Sequence, residues 1–280
     1  MTRASAGLLE QLIARAALTR LHDDVAGTGA RLMPLKGVLL VALGIRKAAD
    51  RPMIDVDVLV EPRHARAAAL AAQSRGWSGS LGNDAACMLI HPETSSTSID
   101  LHRTLFPPHF WRMPTEDVFA RATPDTKLFG REVMRMHPLD LYAHLVGHFV
   151  KSRTDRRDVR HLEDFVAVGR WLKETPRACA EHLQKVGLAR AARYALALAT
   201  EHGDAFAPRV LDALPRDRRG RAMAKLADVV LTNVAPSSYV GIPFVHALNT
   251  SMLRGARSLH AHLTEPKTED DRSRDGWWRP

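Results

Sequence analysis

Two aspartates two residues apart, Asp55 and Asp57, sit in the segment MIDVDVLV, and a third, Asp100, sits in SIDLH. In an extended strand, side chains two residues apart share a face, with backbones roughly 6.5–7 Å apart. Both segments alternate strictly, so the acids face one way while Ile54, Val56, Val58, Ile99 and Leu101 face the other. Carboxylates held this close repel one another, and the usual compensation is a hard divalent cation with oxygen ligands. Magnesium is the expected ion, with manganese as the alternative. If Asp100 joins the pair from a neighbouring strand, three carboxylates can hold two cations about 3.5–4 Å apart, an arrangement suited to displacement at phosphorus. Taken alone, each acid could also be the wet side of a half-exposed strand.

Upstream lies a second feature. Leu32–Leu35 reads as a short strand, and Lys36-Gly37 then opens an apolar helix, Val38–Ile45. Glycine at such a turn lets backbone N–H groups approach a phosphate, and Lys36 adds a point charge. Arg51 precedes the acidic strand and is placed to bind a phosphate or to meet charge developing during transfer, unless it is a loop arginine at the surface. His102 shares a face with Asp100, where it could orient that carboxylate or contact substrate. The other reading is a strand histidine with its hydrogen bonds satisfied.

These pieces resemble a known family. LKG at Leu35-Lys36-Gly37, RPMIDVDVLV at Arg51–Val60, a helix ending in Gly76-Trp77 and IDLH at Ile99–His102 look like the uncharacterised nucleotidyltransferase family of the polymerase-beta-like superfamily. The resemblance covers about residues 30–170, its rear part resting on the weaker His144, His148, Leu162 and Asp164 pattern. It implies an α+β fold in which a small mixed sheet carries the acids, flanked by helices and followed by a helical domain. It also implies transfer of a nucleoside monophosphate from a triphosphate, ATP by expectation, to a hydroxyl on a protein, a tRNA or a small molecule. In that picture Asp55, Asp57 and Asp100 are catalytic and metal-binding, while Lys36, Gly37, Arg51 and His102 meet the nucleotide. The broader superfamily has Gly-Gly or Gly-Ser at the turn. Here Val38 follows Gly37, so a serine hydroxyl that often touches the triphosphate is missing. The alternative is a catalytically silent module of the same fold that binds nucleotide or RNA.

The elements that must position these residues divide the chain. A helix over about residues 5–26, with Leu8, Leu9, Leu12, Ile13, Ala16, Ala17 and Leu21 at helical spacing, is expected to pack on the core. The core itself spans residues 31–136, with a helix at 62–75, strands at 86–91 and 98–102, and a short strand pair within 127–136. Five helical stretches follow between 137 and 263: 139–150, 159–171, 177–185, 190–201 and 222–231. A charged tail, 264–280, ends in Trp277-Trp278.

Composition sets limits on this picture. The 280 residues are 45% hydrophobic and 6% aromatic, so Leu, Ala and Val must fill the core. Lys and Arg total 40 against 31 Asp and Glu, a surplus that suits a triphosphate or RNA and equally an arginine-rich surface. Two cysteines far apart speak against a disulfide framework, and no apolar run is long enough to span a bilayer. A cytoplasmic protein with no membrane attachment is expected. His144 and His148 lie one helical turn apart, but HExxH is absent and zinc is disfavoured. They could face the junction of the two halves. Lys151, Arg153, Arg156, Arg157 and Arg160 could line it and meet an anionic acceptor, or form a solvated face. Phe106, Phe110 and Trp111 could stack a base or pin a loop to the core.

Overall fold

A computed structural model describes residues 2–53, 55–83, 86–94, 96–106, 111–152, 160–233 and 248. Ile54, Phe110, Arg153, Arg156, Arg157 and the tail with Trp277-Trp278 lie outside the described residues. The chain forms two compact units. Of the described residues, the first holds those up to 105 and 114–137, and the second holds 106, 111–113, 138–152, 160–233 and 248.

The first unit opens with helix α1 (Arg3–Val25), capped by the Thr2 hydroxyl on the Ser5 amide. Its buried stripe is Gly7, Gln11, Ala14, Leu18, Leu21 and Val25, spaced three and four apart. Leu8, Leu9 and Leu12, which the hydrophobic pattern assigns to the core, are instead about half exposed. The pattern misleads because two positions of the true stripe, Gly7 and Gln11, are not hydrophobic. Gly7 is there for close approach: a Cβ at this position would meet the Ala48 carbonyl oxygen at 2.3 Å.

After α1 come β1 (Leu32–Pro34), α2 (Lys36–Ala42), β2 (Asp55–Val60) and α3 (Pro62–Ser74), the last started by Pro62 in the first turn, where its missing N–H costs nothing. Strands β3 (Ser78–Asn83), β4 (Ala86–Ile90) and β5 (Ser98–His102) complete a five-stranded sheet of order β1-β2-β5-β4-β3. Only β2 and β5 run parallel; the other neighbours are antiparallel. Helix α4 (Thr115–Arg121) and the two-stranded ladder β6 (Thr123–Asp125) with β7 (Val133–Arg135) close the unit.

One face of the sheet is dry. Val56, Val58, Val60, Ile99, Leu101, Cys87 and Leu89 pack with the Ala14–Val25 stripe of α1 and with Ala65, Ala68, Ala69 and Ala72 of α3. Alanine at all four buried positions of α3 keeps that face of the helix small where it joins the core. The strand period then fixes what happens on the other face: Asp55, Asp57 and Leu59 of β2 and Ser98, Asp100 and His102 of β5 must point away from this core.

The second unit is helical: α5 (Pro138–Ser152), α6 (Arg160–Trp171), α7 (Pro176–Lys185), α8 (Ala189–Glu201), α9 (Ala207–Ala213) and α10 (Arg218–Asn233). Phe106 and Trp111 are buried here, edge to face with ring centres 4.7 Å apart, so they pin their segment rather than offer a stacking face. His144 is buried 5.5 Å from Phe106 and 6.0 Å from His148, ring centre to ring centre. The expected mixed sheet with flanking helices and a helical rear region is the observed architecture. No helix among the described residues is long and apolar enough to cross a membrane.

Candidate active site

The parallel pairing of β2 and β5 places Asp55 beside Ser98, Asp57 beside Asp100, and Leu59 beside His102. Because Cα partners on adjacent strands point to the same side, the three acids and His102 share the face opposite the α1–α3 core. One ligand atom from each of Asp57, Asp100 and His102 lies within 4.8 Å of the others, and among the described residues no other such trio of His, Cys, Asp or Glu occurs. Asp55 is not a member of this tight trio; it stands one residue pair earlier along β2.

Two basic groups meet on Asp57. The Lys36 ammonium donates to Oδ1 at 2.6 Å, and Nε2 of His102 lies 2.9 Å from the same oxygen. Asp57 is only 7% exposed, so alternation did not leave it on a wet strand face. Burial works to raise its carboxyl pKa, but the Lys36 charge and the His102 contact outweigh burial and hold it well below the usual carboxylate range. Asp55 and Asp100 go the other way. For each, loss of water is the largest effect and the Asp57 charge is the next, and both carboxyls are raised. Lys36 opposes the rise at both, Arg51 opposes it at Asp55, and His102 opposes it at Asp100. Asp55 as a residue is exposed, yet loss of water is still the largest effect on its carboxyl.

Lys36 reaches Asp57 because of an unusual backbone. The Leu35 amide donates to the Asp57 carbonyl at 2.9 Å, extending the β1–β2 ladder by one step and fixing the turn beside the acid. Lys36 then adopts φ +47°, the one positive φ at a non-glycine position among the described residues. The left-handed region costs an L-residue about 1–2 kcal/mol, and such strain collects where side chains must be aimed. Gly37 follows with an ordinary φ. A Cβ on it would lie 3.4 Å from Cζ of Arg51, so the guanidinium rests over the bare glycine. Arg51 also donates to the Pro52 carbonyl at 3.0 Å.

Helix α1 positions the segment leading into β2. Glu10 accepts the Met53 amide at 2.9 Å, and Gly7 sits against Ala48. Glu10 was not among the sequence candidates, since nothing in the pattern of α1 distinguishes an acid that faces a loop from one that faces water.

The residues thus assembled are those named by the family motifs. A family model described as "Uncharacterised nucleotidyltransferase" matches residues 3–204. The chain belongs to that family. The match runs from α1 through α8 and ends before α9, so the nucleotidyltransferase family region includes the sheet and the first four helices of the helical unit. No curated protein matches the chain, and no solved structure does.

The donor set fits a divalent cation. Two carboxylates and an imidazole converge within one ion's reach, and Asp55 stands further along the same face. Carboxylate oxygens suit Mg²⁺ and Mn²⁺, and an imidazole nitrogen favours the softer Mn²⁺ of the two.

Proposed function

We propose that this nucleotidyltransferase-family chain transfers a nucleoside monophosphate from a nucleoside triphosphate, ATP by expectation, to a hydroxyl acceptor, with Mg²⁺ or Mn²⁺ as cofactor. The observation that carries the reading is the register pairing of Asp57 with Asp100 across β2 and β5, with His102 beside them. Asp57, Asp100 and His102 would hold one cation, and Asp55, further along the same face, would complete a second position. When bound, the cations supply charge neutralisation for the phosphates and lower the pKa of the attacking hydroxyl.

The chain's residues have distinct work in this reaction. Asp100 accepts the proton as the acceptor oxygen bonds to the α-phosphorus. The bond from that phosphorus to the bridging oxygen breaks, and pyrophosphate leaves. Lys36 exchanges its partner, leaving Asp57 for a phosphate oxygen, and Arg51 over Gly37 meets the charge that grows on the leaving group. Before the cation binds, His102 keeps the Asp57 carboxylate oriented.

One observation favours a second reading. Lys36 and His102 already compensate Asp57, which is how a catalytically silent module that binds nucleotide or RNA would also remain stable. Incubation with α-labelled ATP and a cell lysate, followed by separation into protein, RNA and small-molecule fractions, distinguishes the two. Label in one fraction, lost with Asp57→Asn and Asp100→Asn, is the expected result and also reveals the acceptor class. Saturable ATP binding with no label transferred would overturn transfer in favour of the silent module.

A further inference from the structure

Between helices α8, α9 and α10 lies a cavity of about 620 Å³, a size typical of small-molecule sites. Its floor is apolar and buried: Tyr194, Leu198 and Leu214 line it, and all three are 5% exposed or less. Arg193 also lines it and is itself only 7% exposed. The guanidinium is anchored through Nη2 to the carbonyls of Leu214 and Pro215, the end of α9 and the start of the link to α10.

The mouth is cationic. Arg216, Arg221 and Lys225 line it and are exposed, and Arg221 and Lys225 lie four apart on α10, where like charges share a face. None of the three forms an ion pair among the described residues. Two carboxylates, Glu201 and Asp212, also line the cavity, which leaves cations in excess. The nearby Asp217 is engaged elsewhere, by Arg190 at 3.1 Å and by the Gly220 backbone. Burial, then the charge of Arg221, lowers the pKa of Arg193, the direction expected where positive charge is under-compensated. A helix bundle keeps a buried guanidinium, and places three further cations at the opening, at a cost in stability. An anion at the mouth would relieve it.

We infer that this cavity is a ligand site for a small amphipathic anion, with its carboxylate or phosphate at Arg221, Lys225 and Arg216 and its apolar body against Tyr194, Leu198 and Leu214. The site lies wholly within the helical unit and does not depend on the reading of the aspartates. A long-chain carboxylate and a nucleoside monophosphate both have this chemistry, and competition separates them.

The test uses the full chain and the fluorescent probe 1-anilinonaphthalene-8-sulfonate. Saturable binding at one site is expected, weakened about tenfold in the double variant Arg221→Ala/Lys225→Ala and by Ala197→Trp, which fills the lined space from α8. Thermal unfolding of the first variant should not be lowered and should rise slightly, since both residues are at the surface and their removal relieves like-charge crowding. Displacement by decanoate assigns a lipid-like ligand, and displacement by AMP assigns a nucleotide. The inference is overturned if the probe shows no saturable site, if neither competitor displaces it, or if both variants bind as the wild type does.

Discussion

The Lys36 ammonium and the Asp57 carboxylate are joined at 2.6 Å, and neither side chain is more than 15% exposed. Lys36 therefore occupies the position that the proposed divalent cation would have to share or take. A carboxylate buried to this degree is stable only while something positive faces it. The same ion pair bears on the other two acids, because the charge that Lys36 and His102 stabilise on Asp57 adds to the desolvation that chiefly raises Asp55 and Asp100.

Lys36→Met should therefore destabilise the metal-free protein by about 3 kcal/mol, the order found when one partner of a buried pair is removed. Manganese should restore much of that loss, because the cation can replace the ammonium beside Asp57. Thermal unfolding with and without Mn²⁺ checks both halves. Equal destabilisation at all Mn²⁺ concentrations would mean that Lys36 and the ion do not compete for one partner.

Asp100→Asn should have the reverse effect. Its carboxyl is disfavoured first by desolvation and then by the Asp57 charge, so the amide should stabilise the metal-free fold by about 1 kcal/mol, or roughly 2–4 °C in Tm. The same change should remove the Mn²⁺-induced rise in Tm. Calorimetry of the variant that showed a lower Tm than wild type without metal would contradict the repulsion inferred here.

The pH dependence follows from the same shifts. Asp57 has a depressed pKa, so its contribution is present above the ordinary carboxylate value and is lost only as pH falls far below it. Asp55 and Asp100 have raised values. Below the ordinary value near 3.9 they are neutral in both states and cost nothing; as pH rises through their folded values the folded state carries the penalty. A bound cation reverses that penalty. The Mn²⁺-induced increase in Tm should accordingly be larger at pH 7 than at pH 4.5, and an increase independent of pH would place the ion away from these acids.

Glu10→Gln should act at a distance. Loss of the charged acceptor for the Met53 amide should cost about 1 kcal/mol and should lower nucleotidyl transfer through the position of Arg51 and Asp55. Gly7→Ala should be more severe, since its methyl group would drive the Ala48 backbone away. Transfer rates at saturating ATP measure this; unchanged rates in folded Gly7→Ala protein would show that α1 does not position the site.

Much of this arrangement was legible in the residues. Strict alternation in DVDVLV and SIDLH fixed which side chains share a face, and the short strand before Lys36-Gly37 and the glycine-ended α3 followed from local pattern. What could not be read was long-range. The pairing of Asp57 with Asp100 rather than with another residue of β5 depends on register, which no local signal sets. Strand β3, SGSLGN, carries almost no apolar residues and owes its place to pairing with β4. The short α4 and α9 also escaped a hydrophobic-period search. The contact of His102 with Asp57 arises across strands, so sequence adjacency to Asp100 could not show it.

Electron paramagnetic resonance of Mn²⁺ titrated into the wild type, Asp57→Asn and Asp100→Asn, each with and without ATP, tests most directly whether these side chains form a cation site that serves a nucleotide. Saturable Mn²⁺ binding in the wild type, tightened by ATP and lost in both variants, is the predicted result. Mn²⁺ binding of equal strength in all three proteins, or ATP binding that leaves the Mn²⁺ signal unchanged, would contradict it.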